Sequence, residues 1–217
     1  MPRPLVIAHH LIWTVYGTWL PNDPRGSGSK TIESDLLSEL GELHYGRKQI
    51  QPPYREVREF YHKATPRLSH PVIRFSASAI HSAACGLAET IAEHKYTCYA
   101  CAVMPDHVHM VIRKHKHQAE EMLANLKRLS RERLVSEGYF ENDHPVWTAG
   151  DGWKVFLEHP DDIRRTISYV QRNPTKSGLP IQRWDFTTDY DGWPLHPGHS
   201  PNSPYARALR GAGKYPG

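Results

Sequence analysis

The stretch "VMPDHVHMVI" at 103–112 places two imidazoles, His107 and His109, one residue apart in a run that otherwise reads as a buried strand. Side chains alternate along a strand, so His107, His109, Val111 and Arg113 share one face, while Val108, Met110 and Ile112 share the other. Positions two apart on a strand lie roughly 7 Å from each other at Cα, close enough for two imidazoles to converge on one cation. In a chain with fifteen histidines the same pattern also arises without a metal, as two half-exposed strand side chains. A later segment, "HPDDIRRTISYVQRNP" (159–174), bears on that choice. At helical spacing Ile163, Ile167 and Val170 form its apolar stripe. Tyr169 and Asn173, four apart and one turn above the other, stand on the shoulder of that stripe with Thr166. A helix docked on the histidine face would bring both to the metal, Asn173 as an amide-oxygen ligand and Tyr169 as a nucleophilic phenol. A rim tyrosine and an asparagine before proline are also ordinary features of a helix end. These residues by themselves leave both readings open.

The elements that must position these groups follow from periodicity and punctuation. "HLIWTVYGTWL" (10–20) is rich in β-branched and aromatic residues and ends at the turn cluster Pro21-Asn22-Asp23-Pro24, which predicts a first strand. Residues 21 to about 70 carry Gly, Pro, Ser and charge with only short periodic pieces, the pattern of an insertion. From Pro71 onward Ile80, Ala84, Leu87 and Ile91 recur at helical spacing, with Pro71 placed ahead of the first turn. "KYTCYACAVM" (95–104) and "HVHMVIR" (107–113) predict an antiparallel hairpin turning at Met104-Pro105-Asp106. Residues 117–137 predict a helix with Met122, Leu126 and Leu129 as its stripe, and "GWKVFL" (152–157) a short strand. The last helix has Pro160 early, Asp161 and Asp162 in its first turn, and Pro174 to stop it. Without the insertion and the last helix, the order is β-α-β-β-α-β. The expected fold class is therefore α+β: a ferredoxin-like sandwich with an antiparallel sheet and an additional C-terminal helix on its less covered face.

Composition sets loose bounds. The 217 residues suit one domain with elaborations, and the formal charge of +4 is compatible with a nucleic-acid partner without requiring one. Cys85, Cys98 and Cys101 cannot all pair with one another. The Cys98–Cys101 spacing has no second half at zinc-ribbon distance, so these read as small buried thiols in a reducing compartment. "MPRPLVIAHHLIWTVYG" does not read as a secretory leader, and no run approaches membrane-spanning length, so a cytoplasmic protein without membrane partners is expected. After Gly178 the chain turns Pro-, Gly- and Trp-rich. From about His196 it reads as a flexible tail.

The motifs resemble a family. "MPDHVHMVI" (Met104, Pro105, Asp106, His107, Val108, His109) followed by "ISYVQRNPTKSGLP" (Tyr169, Asn173, Pro174, Lys176, Gly178, Leu179) is similar to the HUH single-tyrosine transposases of the IS200-like type, and within them to the REP-associated tyrosine transposases. The opening "WTVYGTWLPNDPRG" is also similar to their first strand and following loop. The resemblance spans roughly residues 9 to 185 apart from much of the 25–70 stretch. The insertion is longer than in compact members.

The resemblance implies a catalytic domain over 5–185, interrupted at about 21–70, and a flexible extension over 186–217. It implies cleavage and rejoining of single-stranded DNA at hairpin-forming repeats, with His107, His109 and Asn173 holding Mg²⁺ or Mn²⁺. Tyr169 would attack the scissile phosphate to give a 5′-phosphotyrosine and a 3′-hydroxyl. The cation would polarise the phosphoryl oxygen, and the imidazoles suit Mn²⁺ better than Mg²⁺. Lys114, Lys116, Lys127, Arg128, Arg131 and Arg133, with Arg164, Arg165 and Arg172, are the expected phosphate contacts, and each is also a candidate solvated helix face. The six tryptophans include possible base-stacking platforms, though most belong to the core. A monomer is expected, with a homodimer left open. Two other classes compete: a non-catalytic, domesticated DNA-hairpin binder, and a small zinc hydrolase with His107 and His109 as ligands. The latter would need another His, Asp or Glu at a helical partner position, where the candidates Asp161, Asp162 and His159 sit at the far end of the last helix.

Overall fold

A computed structural model describes residues 6–32, 34–150, 152–194, 207 and 211. Its elements are β1 (Ala8–Thr14), α1 (Asp35–Ser38), α2 (Tyr54–Ala64) running into a 3₁₀ turn (Thr65–Arg67), α3 (Ala77–His94), β2 (Cys98–Val103), β3 (His107–Arg113), α4 (Ala119–Ser136), β4 (Trp153–Leu157) and α5 (Pro160–Lys176). The strands form one sheet in the order β2-β3-β1-β4 with every neighbouring pair antiparallel. That is the ferredoxin-like arrangement expected from the element order.

The sheet has two differently built faces. On one, Leu11, Trp13, Val108, Met110 and Ile112 pack beneath α3 and α4 with Leu87, Ile91, Met122 and Leu126. The two helices approach closely at Gly86, where a Cβ would come within 2.5 Å of the Ser130 backbone, so this crossing accepts nothing larger than hydrogen. On the other face Ala8, Ala100, Ala102 and Val111 receive Ile163 and Val170 of α5. Small side chains on these strands let the helix lie close to the sheet. A register shift between Cys98 and Ala100 lets Tyr99 and Ala100 both serve this second face.

Several boundaries differ from the sequence expectation for identifiable reasons. The first strand stops at Thr14 rather than running on to Leu20. The third helix begins at Ala77, not near Pro71, because Ser76 accepts a hydrogen bond from the Ala79 N–H and supplies the cap. In α4 Leu129 is only half-buried, and the stripe runs instead through Met122, Leu123, Leu126, Ser130 and Leu134. Pro174 does not end α5, which continues to Lys176. Proline's fixed φ is helical, so the last turn survives the loss of one N–H.

The 21–70 stretch folds as a satellite with its own small core of Leu20, Leu37, Phe60 and Ala64. A half-buried ion pair closes it: Arg25 donates through Nε and Nη2 to both oxygens of the buried Asp23 at 2.8 and 2.7 Å. The Tyr61 hydroxyl donates to the same carboxylate at 2.5 Å, and the Arg25 guanidinium lies 3.8 Å over the Trp19 ring. Burial and the Asp23 charge push the Tyr61 phenol well above its ordinary range, so it stays a donor.

Beyond residue 185 the chain is packed at least to Pro194. Thr188 N–H donates to Cys98 O at 2.8 Å along the outer edge of β2, and Trp193 is buried in the second core. The rest of the expected extension lies outside the described residues except for 207 and 211. All three cysteines are free. Cys98 and Cys101 are buried, and burial raises both thiols, Cys98 to about 12. No helix among the described residues is long and apolar enough to cross a membrane.

Candidate functional site

The β2–β3 hairpin and the register of β1 set the site. Met104 N–H donates to His107 O at 2.7 Å, closing the turn so that β3 begins on His107. Thr14 stands opposite His107, Ile12 opposite His109 and His10 opposite Val111. His10 is therefore the diagonal neighbour of His109 on the same face, within side-chain reach. Its Nε2 lies 3.0 Å from His109 Nδ1, with the two rings stacked at 5.1 Å between centroids. The rings of His107 and His109 are 4.8 Å apart and nearly perpendicular.

Helix α5 crosses this face. The Tyr169 ring lies 5.6 Å from that of His109 and 6.1 Å from that of His10, edge-on to both. Tyr169 is 42% exposed, so its ring packs on the histidines while part of it stays open to a ligand. The Lys176 ammonium, two turns on, stands 5.7 Å over the face of the same ring. Asn173, one turn beyond Tyr169, is half-buried, and its amide nitrogen is buried without a hydrogen-bond partner. This buried N–H₂ is a donor, costly unless an acceptor such as a water or phosphate oxygen completes it.

The electrostatics favour neutral imidazoles. Burial lowers His10 to about 4 and lowers His109 to about 3, with the neighbouring His107 and His10 adding to the latter. Both keep a lone pair at neutral pH. His107 Nδ1 lies 2.6 Å from Asp106 Oδ1, and that bond, with help from Arg74 at 3.3 Å, holds the Asp106 carboxyl below its ordinary range. A carboxylate only accepts, so His107 carries its proton on Nδ1 and presents Nε2. Ligand histidines are commonly oriented by such a partner.

Among the described residues, no three His, Cys, Asp or Glu side chains are grouped to hold a metal. A site here would have two imidazoles and the Asn173 amide, with remaining positions left to water or substrate oxygens. The neutral, tethered imidazoles fit such an ion through their lone pairs, and Asn173 would join them through its Oδ1, the acceptor of the amide. A larger hollow of about 720 Å³ lies elsewhere, between the satellite and β4, bordered by Lys30, Tyr45, Arg67 and Trp153. It contains none of the convergent imidazoles.

The expected basic set is scattered. Lys114 and Lys116 are exposed beyond the far end of β3 from His107. Arg128, Arg131 and Arg133 lie on α4, on the opposite face of the sheet from α5. Arg128 pairs with Glu132 and Arg133 with Glu89 and Glu137, while Arg131 donates to the His144 and Asn142 carbonyls. Lys127 donates to the Thr148 and Gly150 carbonyls at 2.9 and 2.7 Å, tying down the loop before β4. Arg164, Arg165 and Arg172 share α5 with Tyr169. The first two pair with Asp161 and Asp162, and exposed Arg172 donates to Ser168 O. Of the tryptophans, Trp13, Trp147 and Trp193 are buried.

Sequence reasoning missed His10 and the place of Lys176 beside the phenol. The signal for His10 was present: with Leu11 and Trp13 facing the main core, alternation puts His10, Ile12 and Thr14 on the other face.

No family model and no curated protein matches the sequence. Two solved structures are similar in overall course. One is a REP-associated tyrosine transposase bound to a REP hairpin, 10% identical over 83% of this chain and 74% of that one, with a TM-score of 0.42. The other, a chain from Deinococcus radiodurans described as a putative transposase, is 13% identical over 78% and 94%, with a TM-score of 0.37. At that distance neither likeness says what these residues do.

Proposed function

We propose that the protein is a metal-dependent enzyme that nicks and rejoins single-stranded DNA at hairpin-forming repeats, with Tyr169 as nucleophile. One observation carries this reading: α5 sets a partly open phenol 5.6 Å, ring to ring, from a buried neutral imidazole on the strand that also holds His107. Of the further ligands a zinc hydrolase would need, Asp161 and Asp162 sit at the start of α5 and are paired with arginines, and His10 is engaged through Nε2 with His109 Nδ1.

His107, His109 and Asn173 would hold Mg²⁺ or Mn²⁺, which when bound polarises a phosphoryl oxygen and offsets its developing charge. The Tyr169 oxygen forms a bond to phosphorus as the bond to the 3′-oxygen breaks. The phenolic proton is lost to solvent, and the departing 3′-oxygen gains one. The products are a 5′-phosphotyrosine and a 3′-hydroxyl. The ester retains the bond energy, so the same 3′-hydroxyl or another can reverse the step. A phenol is mostly neutral at pH 7, and the Lys176 charge beside its ring favours the phenolate. Lys176 over the phenol, Arg172 three residues beyond Tyr169 on α5, and Arg74 paired with Asp106 are candidates for phosphate contacts.

The deciding experiment incubates the protein with Mn²⁺ and single strands from the flanks of its own gene, then looks for a denaturant-resistant protein–DNA band. The band is expected with wild type and absent from Tyr169→Phe, which should still bind DNA. Binding without an adduct on any flanking strand would replace this reading with that of a non-catalytic hairpin binder.

A further inference from the structure

His107 and His109 are held by different kinds of partner. The acceptor on His107 Nδ1 is a carboxylate, so the direction of that bond is settled. The partner of His109 Nδ1 is another imidazole nitrogen, His10 Nε2, at 3.0 Å. Between two neutral rings this bond can run either way. With His10 donating, His109 is protonated on Nε2 and has no lone pair to give a cation. With His109 donating, its proton is on Nδ1 and Nε2 is free.

We propose that His10 is a positioning residue for His109: it accepts the Nδ1–H and so holds the His109 ring in the tautomer and orientation that can bind a divalent cation through Nε2. This rests on the metal reading of the site given above. Stacking of the two rings and their burial leave the His109 ring little freedom to find another acceptor. Ile12, the residue opposite His109, offers none from its side chain. His10 comes from a different strand than either imidazole ligand, so β1 is part of the metal site although it contributes no ligand.

Two variants separate hydrogen bonding from packing. His10→Leu fills similar space without an acceptor, and His10→Gln returns one. Mn²⁺ titration of the DNA-free protein, followed by the loss of the free-ion EPR signal, should show about 10- to 100-fold weaker binding in His10→Leu. His10→Gln should bind within a few-fold of wild type. Thermal unfolding without metal confirms that each variant is folded. Nitrogen-15 NMR of metal-free protein should find the His109 proton on Nδ1 in His10→Gln and on Nε2 in His10→Leu. Unchanged Mn²⁺ affinity in folded His10→Leu overturns the positioning role and leaves the metal site standing. Equal loss in both variants also overturns it, as an effect of packing. Wild type that binds no Mn²⁺ overturns the metal reading itself and the role of His10 with it.

Discussion

The two faces of β1 and β3 are made by the same strands and serve opposite ends. Toward α3 and α4 the alternate positions are Leu11, Trp13, Val108, Met110 and Ile112, all essentially inaccessible to solvent. Toward α5 the intervening positions include His10, His107 and His109, set among small residues that let the helix approach. The first face contributes burial at about 25 cal/mol per Å² of apolar surface. The second gives up part of that gain by burying polar rings that hydrogen-bond to one another and to Asp106. On the proposed function, stability and chemistry are separated by one residue along a strand, and substitutions one position apart should fail in different ways.

The largest expected effect tests the chemical face. Tyr169→Phe removes only a hydroxyl from a half-exposed side chain, so thermal unfolding should be unchanged. The covalent DNA adduct on a denaturing gel should fall by about 10³-fold or more. Met110→Ala, on the other face, should show the reverse: about 2–5 kcal/mol lost in denaturant unfolding, with Mn²⁺ affinity retained by the folded fraction. A sharper contrast comes from His109→Leu, next to Met110. It should abolish Mn²⁺ binding while leaving the unfolding midpoint equal to or above wild type, because functional burial of polar groups is commonly bought with stability.

The pH dependence of folding should bear the mark of buried histidines on both faces of β1: His10 faces α5 with His109, whereas His9 lies on the side of Leu11 and Trp13. His9, His10 and His109 are held at about 4, 4 and 3 by burial, against 6.5 unfolded. The unfolded chain therefore binds more protons at acid pH. Stability is fully present above pH 6.5 and is lost as pH falls from there through the folded values, by up to roughly 3 kcal/mol each for His9 and His10 and roughly 5 kcal/mol for His109. Denaturant midpoints measured from pH 8 to pH 4 should fall below about 6.5, and His9→Leu should flatten part of that slope. The smallest effect belongs to the helix crossing on the apolar face. Gly86→Ala must push against the Ser130 backbone and should cost about 1–3 kcal/mol without changing Mn²⁺ affinity.

The histidine pair on β3 and the tyrosine–asparagine pair on α5 were legible because each lies within one element, where period two or the helical turn decides which side chains meet. The element order was legible for the same reason. His10 was not, although its face could be read from alternation, because its value depends on which strand lies beside β3 and in what register. The basic residues of α4 illustrate the opposite failure. Their charge is evident in the sequence, but only the fold shows that Arg128 and Arg133 face Glu132, Glu89 and Glu137 on the far side of the sheet from Tyr169.

By itself the sequence determined the α+β class, the hairpin that starts β3 on His107, and the pairing on one face of His107 with His109 in "DHVH" and of Tyr169 with Asn173 in "YVQRN". These are local consequences of side-chain alternation, turn chemistry and helical period. The tertiary structure decided that α5 lays Tyr169 against His109, that β1 brings a third imidazole beside them, that the 21–70 stretch closes on its own small core, and that residues up to Pro194 are packed. Strand register, and the small side chains that let one helix lie on one face, act between segments distant in sequence, and no local pattern specifies them.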